Sequence, residues 1–199
     1  MCYSAPASFT ALIISVGIAI WLWNRNRKYD RWNALFIISF AMIQLWEGLI
    51  WMGYDSSVMV SLILLTLLTQ PLAQSYGGWK TLHNPSLEWM FYGYVMLLIY
   101  GFYLVSTRGH YSSVGKHGHL KWNSFTSEKR SGLFPGMIGI VYLIGLFLPL
   151  LFAWREMWPL LIVGGLTAYY SMISSSSGEF GSKWCYFAVI YSITAIFIS

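Results

Sequence analysis

Seven runs of about 20 mainly apolar residues constrain this chain more than any other feature. They lie at about 7–24, 33–53, 57–76, 87–106, 134–153, 157–174 and 182–199. A helix needs about 20 such residues to cross the hydrocarbon core of a bilayer. The runs therefore predict an all-α fold, a polytopic bundle of seven transmembrane helices that forms a single domain over residues 1–199.

The composition excludes several classes of protein. Hydrophobic residues make up 57% of the 199 residues and charged residues 10%, whereas soluble domains carry about 25% charged residues. This balance argues against a water-soluble enzyme and against a disordered chain. The net charge is +5, but the basic residues lie between the apolar runs and indicate no nucleic-acid partner. The predicted partner is the lipid bilayer, and the predicted location is a membrane of unspecified kind.

The basic residues also bear on orientation. Four of them lie in the first predicted loop: Arg25, Arg27, Lys28 and Arg31. Cytoplasmic loops are enriched in Lys and Arg, and the first helix usually dominates, so the N-terminus is predicted to lie outside. The long loop at about 107–133 would then face outside, although it carries five basic residues: Arg108, Lys116, Lys121, Lys129 and Arg130. With Lys80 and Arg155 also predicted inside and Lys183 outside, each side carries six basic residues. The orientation therefore rests on the first loop.

Glu47 is the most informative residue, because it lies inside the second apolar run. An acidic side chain at the centre of a span costs about 2.5–3.5 kcal/mol on insertion scales and usually faces the bundle interior. Gln44 and Trp51 share its helical face. Functional interpretations are a protonatable carboxylate, a cation site or a group that binds a substrate. The alternative is a structural hydrogen-bond acceptor between helices.

Other polar residues could line the same interior. Gln70 and Gln74 are four residues apart in the third run, and Pro71 follows Gln70. A proline removes one helical hydrogen bond, so this position predicts a hinge or binding site, or simply a helix end. The outer halves of the sixth and seventh predicted helices lie level with Glu47. Their hydroxyl groups could partner the carboxylate, and they belong to Tyr169, Tyr170, Ser171, Tyr186 and Tyr191.

The stretch RGHYSSVGKHGHLKW predicts a hairpin over the outer mouth, with glycine at its turn. His117 and His119 would then point to one side of a strand, which allows a weak candidate metal site. No cysteine or carboxylate lies at ligand spacing nearby, so a structured cap or a solvated loop is the favoured interpretation. No cofactor is predicted.

Cys2 and Cys185 are both predicted at outer helix ends. They could form a disulfide in an oxidising compartment, or they could be two small buried apolar residues.

Three short stretches carry a resemblance to a known family. They are Met1–Ala5 within MCYSAPASF, Gln44–Glu47, and Gly181–Cys185. With these elements the chain resembles an uncharacterised family of seven-span membrane proteins from large DNA viruses and scattered cellular organisms. The resemblance implies no established activity and transfers no catalytic residue. It does draw attention to Cys2, Glu47 and Cys185.

The leading hypothesis is an integral membrane protein that transports or binds a small solute or ion within its bundle, acting alone or as a homo-oligomer. Glu47 would be the charged or protonatable group, and Gln44, Gln70 and Gln74 would line the site. The alternative is a non-transporting sensor, scaffold or assembly subunit. A membrane-embedded enzyme ranks last, because no residues have the spacing of a nucleophile and base or of a metal site.

Overall fold

The computed structural model describes residues 4–107, 110–123, 133–175 and 179–198. Side chains are described in all of these ranges except at residues 123–138. Eight helices and two strands follow one another along these residues. The first half contains α1 (Ala5–Arg25), α2 (Asp30–Trp51), α3 (Ser56–Leu82) and α4 (Pro85–Thr107). The second half contains β1 (Tyr111–Val114), β2 (Leu120–Asn123), α5 (Leu133–Leu151), α6 (Trp154–Ile173), α7 (Phe180–Tyr186) and α8 (Ala188–Ile196).

Four of these helices, α1 to α4, are long and apolar enough to cross a membrane by length and composition. Within the described residues, α5 adds a shorter apolar stretch, Gly139–Leu151. The fold is thus a helical bundle with four candidate spans. Seven crossings and an outside N-terminus remain predictions.

The third helix differs from its prediction. The apolar pattern places its end at about residue 76, but α3 continues to Leu82 with Pro71 inside it. Proline as a helix end is therefore the wrong interpretation here. The Pro71 ring packs against α5, where a Cβ on Gly145 would overlap it. The Ser75 hydroxyl donates to the Pro71 carbonyl over 2.8 Å.

The last predicted span, 182–199, is not one continuous helix. It is divided into α7 and α8, which meet at Phe187. There the Phe187 N–H donates to the carbonyl of Trp184, three residues earlier, over 2.9 Å. This spacing is that of a tight 3₁₀ turn rather than of an α-helix, so the two short helices join through a local break.

The predicted hairpin is confirmed. β1 and β2 pair in antiparallel register, with Tyr111 opposite Asn123 and Val114 opposite Leu120. Gly118 has a φ of +78° in the connecting turn, a conformation that glycine adopts without steric cost. The hairpin connects α4 to α5, and we call this end of the bundle the hairpin end.

Small residues allow the first three helices to approach closely. A Cβ on Gly48 in α2 would lie 2.9 Å from the ring of Phe9 in α1. A Cβ on Gly77 in α3 would lie 3.0 Å from the Cα atom of Trp32 in α2. Such contacts are typical of membrane bundles, where close packing rather than water exclusion holds helices together.

At the opposite end, an ion pair ties three helices together. The Arg25 guanidinium donates to both carboxylate oxygens of Asp30, over 2.8 and 2.6 Å. It also donates to the carbonyls of Ile196 and Ile198, over 2.6 and 3.2 Å. A cation at the carboxyl end of a helix stabilises its unsatisfied carbonyls. Arg25 therefore joins the end of α1 to the start of α2 and the end of α8.

Candidate functional site

Glu47 lies in the last turns of α2, and its side chain has no exposed surface. The Gln44 amide, on the same face three residues earlier, donates to Glu47 Oε2 over 3.4 Å. Trp51, the last residue of α2, is only partly buried. The structure therefore brings Gln44 and Glu47 together in the interior, as the spacing predicts, and leaves Trp51 nearer the surface.

Gln74 connects three helices in the interior. The indole N–H of Trp32 in α2 donates to Gln74 Oε1 over 2.6 Å. The Gln74 amide nitrogen donates in turn to the hydroxyl of Tyr191 in α8, over 3.5 Å. Gln74 is fully buried, so its two polar atoms stabilise the packing of α2, α3 and α8.

Gln70, one turn before Gln74, faces a different neighbour. The hydroxyl of Tyr142 in α5 donates to Gln70 Oε1. The Gln70 amide nitrogen is buried and has no hydrogen-bond partner among the described residues. A buried donor of this kind costs about 1–3 kcal/mol when it stays unsatisfied. It is a group that a bound solute could satisfy.

A small cavity of about 20 Å³ lies beside Gln74. This volume holds one or two waters. Aromatic side chains form much of its wall: Phe36, Phe40, Phe147, Trp184, Phe187 and Tyr191. Gln74 and Thr167 add polar groups, whereas Gln44, Glu47 and Gln70 do not line this cavity. The predicted polar residues therefore do not all border one common space.

The predicted tyrosine partners are placed differently. Tyr169 is 62% exposed on α6, so its hydroxyl does not reach a carboxylate in the interior. Tyr186 is partly buried at the end of α7. Tyr191 is buried, and its hydroxyl meets Gln74 rather than Glu47 in the contacts given above. The helical pattern could not distinguish them, because all three lie on apolar helices.

The hairpin end contains a second buried acid, Glu179, which the sequence analysis missed. Its carboxylate accepts from the His117 backbone N–H over 3.0 Å and lies 3.0 Å from His117 Nδ1. Glu179 precedes α7 and has no exposed surface. Its partner His117 is 62 residues away in sequence, so the sequence could not indicate this pairing. The position of Glu179 just before a predicted span was the one signal that the sequence offered.

The two candidate metal-ligating histidines do not lie on a strand, contrary to the prediction. His117 and His119 both fall in the turn between β1 and β2. Among the described residues no group of three or more His, Cys, Asp or Glu side chains could hold a metal ion. His119 is fully buried. Burial lowers the pKa of His119 to about 4, and the nearby Lys183 acts in the same direction.

Cys185 is buried in α7. Cys2 lies outside the described residues, so the disulfide between them stays a prediction.

Comparison with known proteins adds no family. The chain matches no protein-family model, and no curated protein is significantly similar to it.

Proposed function

We propose that this chain is an integral membrane protein that binds or transports a small solute or ion within its bundle, with Glu47 as the charged or protonatable group. The observation that carries the proposal is the complete burial of Glu47 within α2. Ionisable groups at such positions are expensive, and they commonly mark ion pathways or proton relays.

The burial of Glu47 supports a group that binds a proton or a cation. Its side chain has no exposed surface, and Gln44 on the same face donates to it over 3.4 Å. A carboxylate taken out of water is costly as a bare charge, so a bound proton or cation would stabilise it. The amide of Gln70 supplies a further interior donor, in the next helix of the bundle.

Proton flux into liposomes tests this proposal. The purified protein is reconstituted with a pH-sensitive dye inside, and a pH gradient is imposed with the membrane potential clamped. We expect the native protein to dissipate the gradient and Glu47→Gln to reduce the rate to that of protein-free liposomes. Glu156→Gln is the matched control, because Glu156 is an exposed acid at the start of α6.

A second measurement distinguishes a titrating Glu47 from a structural one. A hydrophobic carbodiimide modifies protonated carboxyl groups that it reaches from the lipid phase. We expect the carbodiimide to modify Glu47 in the native protein, and mass spectrometry measures the modification. A Glu47 that is never modified, together with native flux in Glu47→Gln, would contradict the proposed role.

A second candidate function is a non-transporting scaffold or assembly subunit. The observation that favours it is the broad exposed face of α4, which carries large apolar and aromatic side chains: Trp89, Tyr92, Met96, Ile99, Tyr100, Phe102 and Tyr103. Such a face suits lipid or a partner helix. If the native protein moves no protons and the carbodiimide does not modify Glu47, this candidate replaces the first.

We also propose that the N-terminus lies outside, that the chain crosses the membrane seven times and that it belongs to the family it resembles. The protein would act alone or as a homo-oligomer.

A further inference from the structure

Exposed cations collect at the end of the bundle opposite the hairpin. They are Arg27, Lys28, Arg31, Lys80 and Arg155. We call this set the basic end. Arg25 is not part of it, because its charge is matched by Asp30 in the ion pair described above. Glu88 and Glu156 lie at the same end, so cations outnumber acids there.

Three of the five cations of the basic end lie over aromatic rings. Lys80 Nζ is 3.9 Å from the ring centre of Trp79, and Lys28 Nζ is 4.8 Å from that of Tyr29. The Arg31 guanidinium carbon is 5.4 Å from the ring centre of Trp23. Each distance is within the range of a cation–π interaction. These contacts hold the charges beside the bundle wall rather than far out in solvent.

The rings also fix the depth of these charges. Trp23 is 45% exposed at the end of α1, a candidate span. Tryptophan and tyrosine rings prefer the headgroup level of a bilayer. In a bilayer, a cation held over such a ring would lie at the depth of the lipid phosphates.

We propose that the basic end is a binding surface for the headgroups of anionic phospholipids. Its charges come from the α1–α2 connection, the start of α2, the end of α3 and the start of α6, so several helices of the bundle contribute to it. Basic residues next to a span attract anionic lipid, and the attraction falls off within a Debye length of the surface. A rim of charges suits a layer of headgroups better than one small anion.

The association of spin-labelled phosphatidylglycerol and phosphatidylcholine with the reconstituted protein tests this surface. We expect the native protein to prefer phosphatidylglycerol several-fold at low salt, with the preference reduced at high salt. The double variant Lys28→Gln/Lys80→Gln should lose most of that preference. The control Lys116→Gln/Lys121→Gln removes two lysines near the hairpin and should keep it.

The proposal fails if both double variants behave alike, or if the native protein prefers neither lipid. Soluble glycerol phosphate distinguishes the sources of the phosphate. Competition by it at millimolar concentration would indicate a pocket for a free anion and would overturn the lipid surface. The proposal needs the chain in a bilayer but not a role for Glu47, so it stands or falls separately from the flux experiments.

Discussion

Glu47 and Glu179 are both fully buried glutamates, yet their surroundings assign them different work. Glu179 accepts from a backbone N–H and contacts an imidazole, each at 3.0 Å. Its carboxylate is therefore well matched and holds the hairpin in place. Glu47 instead lies within α2, a candidate span, and accepts from Gln44 of the same helix. Because ionisable groups inside spans commonly mark ion pathways or proton relays, Glu47 is the better candidate for a functional carboxylate.

His119 is expected to make the stability of the folded protein depend on pH. Burial lowers its pKa to about 4 from 6.5, and Lys183 and His117 add to the effect against the opposing charge of Glu179. In the unfolded chain the His119 imidazole takes up a proton below about pH 6.5, whereas in the folded protein the same imidazole stays neutral down to about pH 4. Stability is therefore full above pH 6.5 and falls as pH drops toward 4. We expect a loss of about 2 kcal/mol after solvent screening.

Thermal unfolding in detergent across this pH range measures the loss. His119→Gln should flatten the pH dependence whatever its stability at neutral pH. His83→Asn, which removes an exposed histidine at the end of α3, should leave the dependence as it is. An unchanged slope in His119→Gln would assign the pH effect to another group.

At the scale of elements, the hairpin is docked on the start of α7 from two sides. On one side Glu179 meets the turn at His117. On the other, the ring of Trp122 packs where a Cβ on Gly181 would lie. Contacts of both kinds fix β1 and β2 relative to the bundle, although a two-stranded hairpin alone is only marginally stable in water.

Gly115→Ala tests this docking. The added Cβ would overlap the Glu179 carboxylate, and overpacking of this kind costs about 1–3 kcal/mol. We expect a lower unfolding temperature and faster hydrogen exchange in residues 110–123. Gly17→Ala, at an open position in α1, should not accelerate that exchange. Equal exchange in Gly115→Ala and the native protein would show that the carboxylate does not hold the turn.

At the scale of the whole molecule, local patterns predicted the parts that depend on local sequence. Apolar runs located α1 to α4, and the glycine-containing loop predicted the hairpin, because both signals lie within the segment itself. The continuation of α3 beyond Pro71 could not be predicted, since it depends on the packing of the proline against Gly145 in α5. The pairing of Glu179 with His117 also joins distant segments, and no periodicity encodes it.

The same distinction applies to the candidate site. The spacing of Gln44 and Glu47 predicted their shared face, because both lie on one helix, and there the two side chains meet. The partners of Gln70 and Gln74 come from α2, α5 and α8, so they follow from the bundle rather than from the third helix. Exposure of Tyr169 has the same cause, since the rotation of α6 against its neighbours decides which face meets the interior.

The orientation of the bundle is the remaining whole-molecule prediction. The basic end should face the cytoplasm, because basic residues are concentrated in the first connection. The hairpin should then face outside, because three candidate spans, α2 to α4, separate Lys28 from Lys116. Single cysteines at these two positions, in a Cys2→Ser/Cys185→Ala background, report their sides. A membrane-impermeant maleimide should label Lys116→Cys in intact cells and Lys28→Cys only after permeabilisation. The reverse pattern would invert the orientation, because it would show that the long basic loop outweighs the first one. Labelling of both in intact cells would mean that α2 to α4 do not make three crossings.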